Sequence, residues 1–198
     1  MATQLGRRAP AGALFVVTCL TIVAGLSSAV PLGAGTAPPA LQPYADPDKQ
    51  FTIDYPQGWH VKRVPAAGTY FYFDDPEEGT SFNFTPAGAF KGEMDAGEAL
   101  KALVTGIRKK YPDFKVVGQK QRPMQGDPNG SIVDAAAVWT NAMHVPMRGW
   151  GNLGVIKQVG QGKTLFSYVG YQAPSKGFDQ VEPIFDRMIK SLRLGKVK

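Results

Sequence analysis

The stretch that most constrains this chain is 51–63, FTIDYPQGWHVKR. Phe51, Ile53 and Tyr55 alternate with Thr52 and Asp54, the period of a strand with one buried face. Pro56, Gln57 and Gly58 then supply a turn, and Trp59 and Val61 return apolar bulk to the same neighbourhood. A strand that reverses into a tryptophan founds a core. Phe51, Ile53, Tyr55 and Trp59 are therefore assigned to it, with an expected cost of about 3–5 kcal/mol for Trp59→Ala.

The rest of the chain reads as strands and two helices. Sixteen prolines and 23 glycines among 198 residues call for many turns. Residues 68–73 and 80–85 are aromatic-rich strands, and the loop 74–79 (DDPEEG) joins them as a hairpin. Its acids lack the alternating oxygen ligands of a calcium loop, so it reads as a solvated turn. Asp95 with Glu98 three residues on opens a helix, and Ala96, Ala99, Leu100, Leu103, Val104 and Ile107 form its apolar stripe up to Pro112. Leu100 and Val104 are assigned to the core. Strands are expected over 114–124, 131–140, 154–159 and 163–172, with a tight hairpin at Gly160-Gln161-Gly162. A closing helix over 179–193 buries Val181, Ile184, Phe185, Met188 and Leu192, with Phe185 in the core and Pro183 in the first turn.

The amino terminus speaks about location. Arg7 and Arg8 precede an apolar run, and Ser27-Ser28-Ala29 offers small residues for a cleavage site. Residues 1–29 read as a secretory signal peptide or, if uncleaved, a membrane anchor, since 11–30 just reaches the ~20 residues a span requires. Residues 30–44 carry four prolines and no charge and read as a tether, so the domain is expected over 45–198. The single cysteine, Cys19, lies inside the signal, which leaves a domain without disulfide, thiolate nucleophile or cysteine ligand. The expected location is extracytoplasmic: periplasm, cell envelope or secreted. Membrane contact is expected only through an uncleaved N-terminal segment. The net charge of +6 includes Arg7 and Arg8, and the remaining cations are scattered, which argues against nucleic acid as a partner.

Motifs for chemistry are sparse. His60 and His144 are the only histidines. His144 lies between Met143 and Met147, a set that could ligate copper(I) but also fits an incidental loop. Gly149, Gly151 and Gly154 spell G-x-G-x-x-G, yet a strand follows where a dinucleotide site needs a helix; the glycines are assigned to a bulge or tight turn beside Trp150. There is no G-x-S-x-G elbow. No catalytic set, metal site or cofactor is assigned.

In element order from Tyr44 to Leu194, and in Phe51, Ile53, Tyr55, Pro56, Gly58, Trp59 and the closing helix, the chain resembles the PsbP-like superfamily. That group includes the extrinsic photosystem II protein and DcrB-like exported proteins, with Mog1 as a fold cousin. The resemblance implies an α+β fold, an α/β/α-type sandwich with a central antiparallel sheet of about 6–7 strands and helices on its faces. It also implies a non-catalytic binding or assembly role. The leading expectation is thus an exported, membrane-proximal module that meets an envelope or membrane protein through His144, Arg148 and Trp150, where exposed aromatic and Arg side chains would anchor binding. A small-ligand or metal carrier with a pocket between helix and sheet is the alternative, and an envelope hydrolase the second.

Overall fold

The computed structural model describes residues 39–65, 69–75 and 79–195. The signal or anchor at 1–29 and most of the tether lie outside the described residues. Among the described residues, no helix is long and apolar enough to cross a membrane.

Strand alternation builds two sheets. The small one has three strands, β1 (Leu41–Ala45), β2 (Phe51–Pro56) and β10 (Arg193–Leu194), with β2 in the middle. The large one has seven: β3 (His60–Pro65), β4 (Thr69–Asp74), β5 (Ser81–Lys91), β6 (Lys115–Pro123), β7 (Gly130–Thr140), β8 (Pro146–Gln158) and β9 (Lys163–Pro174). Their spatial order is β3-β4-β5-β9-β8-β7-β6, and every neighbouring pair is antiparallel. Helix α1 (Ala96–Arg108) links β5 to β6, and α2 (Phe178–Ser191) follows β9.

The helices lie on opposite faces of the large sheet. Directly paired residues in antiparallel strands share a face, so Phe71, Phe84 and Val169 lie together, as do Phe73, Phe82, Tyr171 and Trp150. This face packs against α2 and the small sheet, through Phe51, Ile53, Phe178, Val181, Phe185 and Met188. The other face carries Val133, Leu153 and Val155, which meet Ala96 and Ala99 of α1. The architecture is an α+β sandwich with a central antiparallel sheet.

Several local expectations need correction. The 51–56 strand sits in the separate small sheet, where β1 and β10 flank it on both sides. β1 takes up residues read as tether: Leu41 to Ala45 pair with Pro56 to Thr52, and Tyr44 packs on Phe51 with ring centroids 5.8 Å apart. Two prolines nearby hid a strand whose partner supplies the pattern. Strand β8 begins at Pro146, not at residue 154, and runs through the glycine motif in unbroken register with β7 and β9. Helix α2 starts at Phe178, which places Pro183 sixth in the helix rather than in its first turn. Burial of Phe178, stacked 5.7 Å from Tyr171, draws the start upstream and offsets the one backbone hydrogen bond that Pro183 cannot make.

Candidate apolar cleft between helix and sheet

The capping box fixes one end of α1. Glu98 N donates to Asp95 Oδ1 at 2.8 Å and Asp95 N donates to Glu98 Oε2 at 2.8 Å. Ala96 N also donates to Ser131 Oγ at 2.9 Å, which ties the helix start to β7. In this first turn Ala96 and Ala99 are fully buried against Val133, Leu153 and Val155. Contact here is close.

Further along, the helix runs over a different floor. On the α1 side of β7 and β8 the register places Ala135 opposite Gly151 and Ala137 opposite Gly149. Four small residues in two adjacent pairs leave space where Val and Leu fill it under the first turn. Leu100, Leu103, Val104 and Ile107 form the roof, and the result is a partly open cleft of about 160 Å³. Phe114 and Trp139 line it toward β6, and Phe166 and Tyr168 toward β9. The wall facing the space is mainly carbon.

The glycines of the G-x-G-x-x-G stretch thus have a packing reason. A Cβ on Gly149 would lie 3.0 Å from Trp139 Cη2, and one on Gly151 would lie 2.9 Å from Tyr168 Cε2. Both rings lie where side chains of β8 would otherwise stand. The stretch is flat strand under aromatic rings, not a bulge or turn, and no helix follows it as a dinucleotide site would need. The alternative of a pocket between helix and sheet was open from the sequence, but none of the residues that line it was named as such. The signal available was small residues on one face of two consecutive strands, Ala135 and Ala137 then Gly149 and Gly151.

The three residues expected to meet a partner are placed as follows. His144 is exposed at the tip of the β7–β8 hairpin with φ 60°, the left-handed conformation the tight turn needs. Asn141 holds that turn, its Oδ1 accepting from Met143 N at 2.9 Å and Val145 N at 3.0 Å. Arg148 and Trp150 share the α2 side of β8 and are both half-buried. Arg148 lies 4.4 Å from the centre of the Phe178 ring and bonds Asp179 Oδ1 at 2.8 Å. Trp150 stacks on Tyr171 at 5.5 Å, and Tyr171 stacks on Phe185 at 4.2 Å. Burial, then the Glu182 carboxylate that its hydroxyl reaches at 3.2 Å, pushes the Tyr171 phenol well above its ordinary value. Arg148 and Trp150 therefore belong to one stack that holds α2 to the sheet, and His144 takes no part in it.

Of the residues assigned to the core, Phe51, Ile53, Val104 and Phe185 are buried. Tyr55 and Trp59 are half-buried at the rim of the α2-side core, Trp59 with its ring 6.1 Å from Phe185, and Leu100 is half-buried in the cleft roof.

Two other sets of side chains are not brought together among the described residues. Met147 is buried and its sulfur accepts from Asn141 Nδ2 at 3.6 Å, while Met143 is exposed, so the methionines beside His144 diverge. Register sets His60 opposite Asp74, and Asp74 opposite Ser81. That row puts the carboxylate between the other two and leaves histidine and serine two strands, roughly 9–10 Å, apart. A base at that distance reaches no nucleophile. Among the described residues, no three His, Cys, Asp or Glu side chains gather as a metal site would require.

No family model matches the chain, and no curated protein matches it. Solved structures do. The cyanobacterial PsbP of Synechocystis superposes with a TM-score of 0.51 at 16% identity, over 83% of this chain and 99% of that one. The fold is PsbP-like. LpqN, involved in cell envelope biogenesis of Mycobacterium tuberculosis, superposes at 13% identity with a TM-score of 0.48, over 79% of this chain and 91% of that one. The Saccharomyces cerevisiae Ran-binding protein Mog1p follows at 10% identity and TM-score 0.43, over 79% and 96%.

Proposed function

We propose that this chain is an exported, non-catalytic binding module of the cell envelope and that its binding element is the cleft between α1 and the large sheet. The observation that carries this reading is the cleft itself: a partly open, mainly apolar space of about 160 Å³ between α1 and the large sheet. Clefts lined mainly by apolar and aromatic side chains are where small molecules bind. The signal-like amino terminus supports an extracytoplasmic location, and the separation of His60 from Ser81 supports a role without catalysis.

Toluene binding followed by calorimetry tests the reading. The full chain is expected to take up toluene at one site, and Ala137→Leu, which raises the floor into the space, is expected to abolish uptake while the protein stays folded. Equal uptake by both proteins, or none by the parent, would refute it.

A second reading rests on the position of Arg148 and Trp150, half-exposed beside α2 on one face of β8. There an envelope or membrane protein would dock, with His144 on the adjoining hairpin. Loss of a stoichiometric crosslinked complex in Trp150→Ala, in a protein that circular dichroism shows to stay folded at a lowered melting temperature, is the expected result.

A further inference from the structure

The cleft also restricts what can enter it. We infer, on the reading that the cleft is the binding element, that its ligand is an amphiphile that seats an uncharged hydrocarbon end of about six to eight carbons and keeps its polar part outside.

Size sets the first limit. An apolar cavity of ~150 Å³ in another protein holds one benzene, and this cleft is about 160 Å³. The wall sets the second. Leu100, Leu103, Val104 and Ile107 above and Ala135, Ala137, Gly149 and Gly151 below offer side-chain carbon or backbone already bonded in the sheet. Two polar atoms of lining residues, Tyr111 Oη and Asn83 Oδ1, are closed off even from a water molecule and have no hydrogen-bond partner. Neither can receive a ligand's hydroxyl or charge. Other polar side chains of the lining, Tyr72, Tyr168 and Gln172, come from β4 and β9, so a polar group carried under the Leu and Ile side chains of α1 would lose its water among carbon, which costs about tenfold in affinity. The opening sets the third, because a partly open cleft lets the rest of the molecule stay in water. The described chain enters the fold through β1, whose Tyr44 packs on the opposite, α2 side.

A homologous series of alcohols measured on the full chain, with Ala137→Leu as the filled control, decides the matter. Affinity is expected to rise about fourfold for each methylene from 1-butanol to 1-octanol and to level off at 1-decanol. The diol 1,8-octanediol, which must bury a hydroxyl in either orientation, is expected to bind at least tenfold more weakly than 1-octanol. Ethylbenzene distinguishes a ring from a chain of the same carbon count, and preference for either keeps the hydrocarbon class. Equal affinity for octanol and octanediol, or a rise that continues unbroken through decanol, would overturn this inference and leave the cleft as a binding site of another chemistry. No binding by any of them, or equal binding by Ala137→Leu, would remove the cleft reading and this inference with it.

Discussion

The two faces of the large sheet are built from the same strands and finished in opposite ways. On the α2 side, Phe51 lies 4.5 Å from Phe71 and 4.8 Å from Phe84, and the stack Trp150–Tyr171–Phe185 continues the aromatic packing into the helix. On the α1 side, close contact holds only under the first turn, where Ala96 and Ala99 meet Val133, Leu153 and Val155. Beyond it the helix passes over alanine and glycine. One face spends its large side chains on filling space; the other places them around a space. Stability is therefore expected to reside mainly in the first and binding in the second.

Truncating the filled face has the largest expected effect. Phe185 is fully buried at the centre of the stack, and Phe185→Ala is expected to cost about 3–5 kcal/mol in denaturant unfolding. Trp59→Ala, at the rim beside it, is expected to cost about 2 kcal/mol, less than its sequence context suggested. An equal loss for both would place the centre of the core nearer the opening strand than the stack.

Adding bulk discriminates the faces more sharply. Ala173→Leu enlarges a residue 1% exposed in the aromatic core and is expected to lose about 1–3 kcal/mol. Ala137→Leu enlarges one in the cleft floor and is expected to change stability by less than about 1 kcal/mol, with a gain as the favoured sign. Equal penalties in thermal melts would mean the two faces are equally packed.

The roof of the cleft depends on its anchored end. Asp95→Ala removes the cap acceptor and is expected to cost about 1 kcal/mol, with weaker toluene binding as the roof loosens; unchanged stability would show that the cap does not hold the helix.

The smallest effect is confined to alkaline solution. Tyr171 is raised above its ordinary value by burial first and by Glu182 second. The folded state thus holds this proton more tightly than the unfolded state, so its stabilisation is complete below the unfolded tyrosine value of about 10 and declines as pH rises above it. Tyr171→Phe is expected to flatten part of that decline, and identical pH profiles for the two proteins would contradict the assignment.

What could be read from the sequence follows from which partner supplies the pattern. The α1 cap was legible because Asp95 and Glu98 bond each other three residues apart. The aromatic strands β4 and β5 and the stripe of α2 were legible because each carries its own periodicity. Strand β1 was not, since Leu41 to Ala45 become a strand only beside β2. The first half of β8 was hidden for a related reason. Gly149 and Gly151 ordinarily punctuate chains, and only the rings of Trp139 and Tyr168, from neighbouring strands, explain why glycine stands in an extended run. The cleft is a property of four small residues on two strands under one helix, and no single stretch contains it. The PsbP-like order of elements was legible because it depends on the sequence of elements and not on any one boundary.

The most direct test of the contrast between the faces is solution NMR under xenon pressure, because xenon enters empty apolar space regardless of ligand chemistry. The account predicts saturable shifts at the methyls of Ala135, Ala137, Leu103 and Ile107 and at the Trp139 ring, with Phe73, Phe82 and Phe185 unmoved. Shifts centred on the α2 side, or no saturable response on the α1 side, would contradict it.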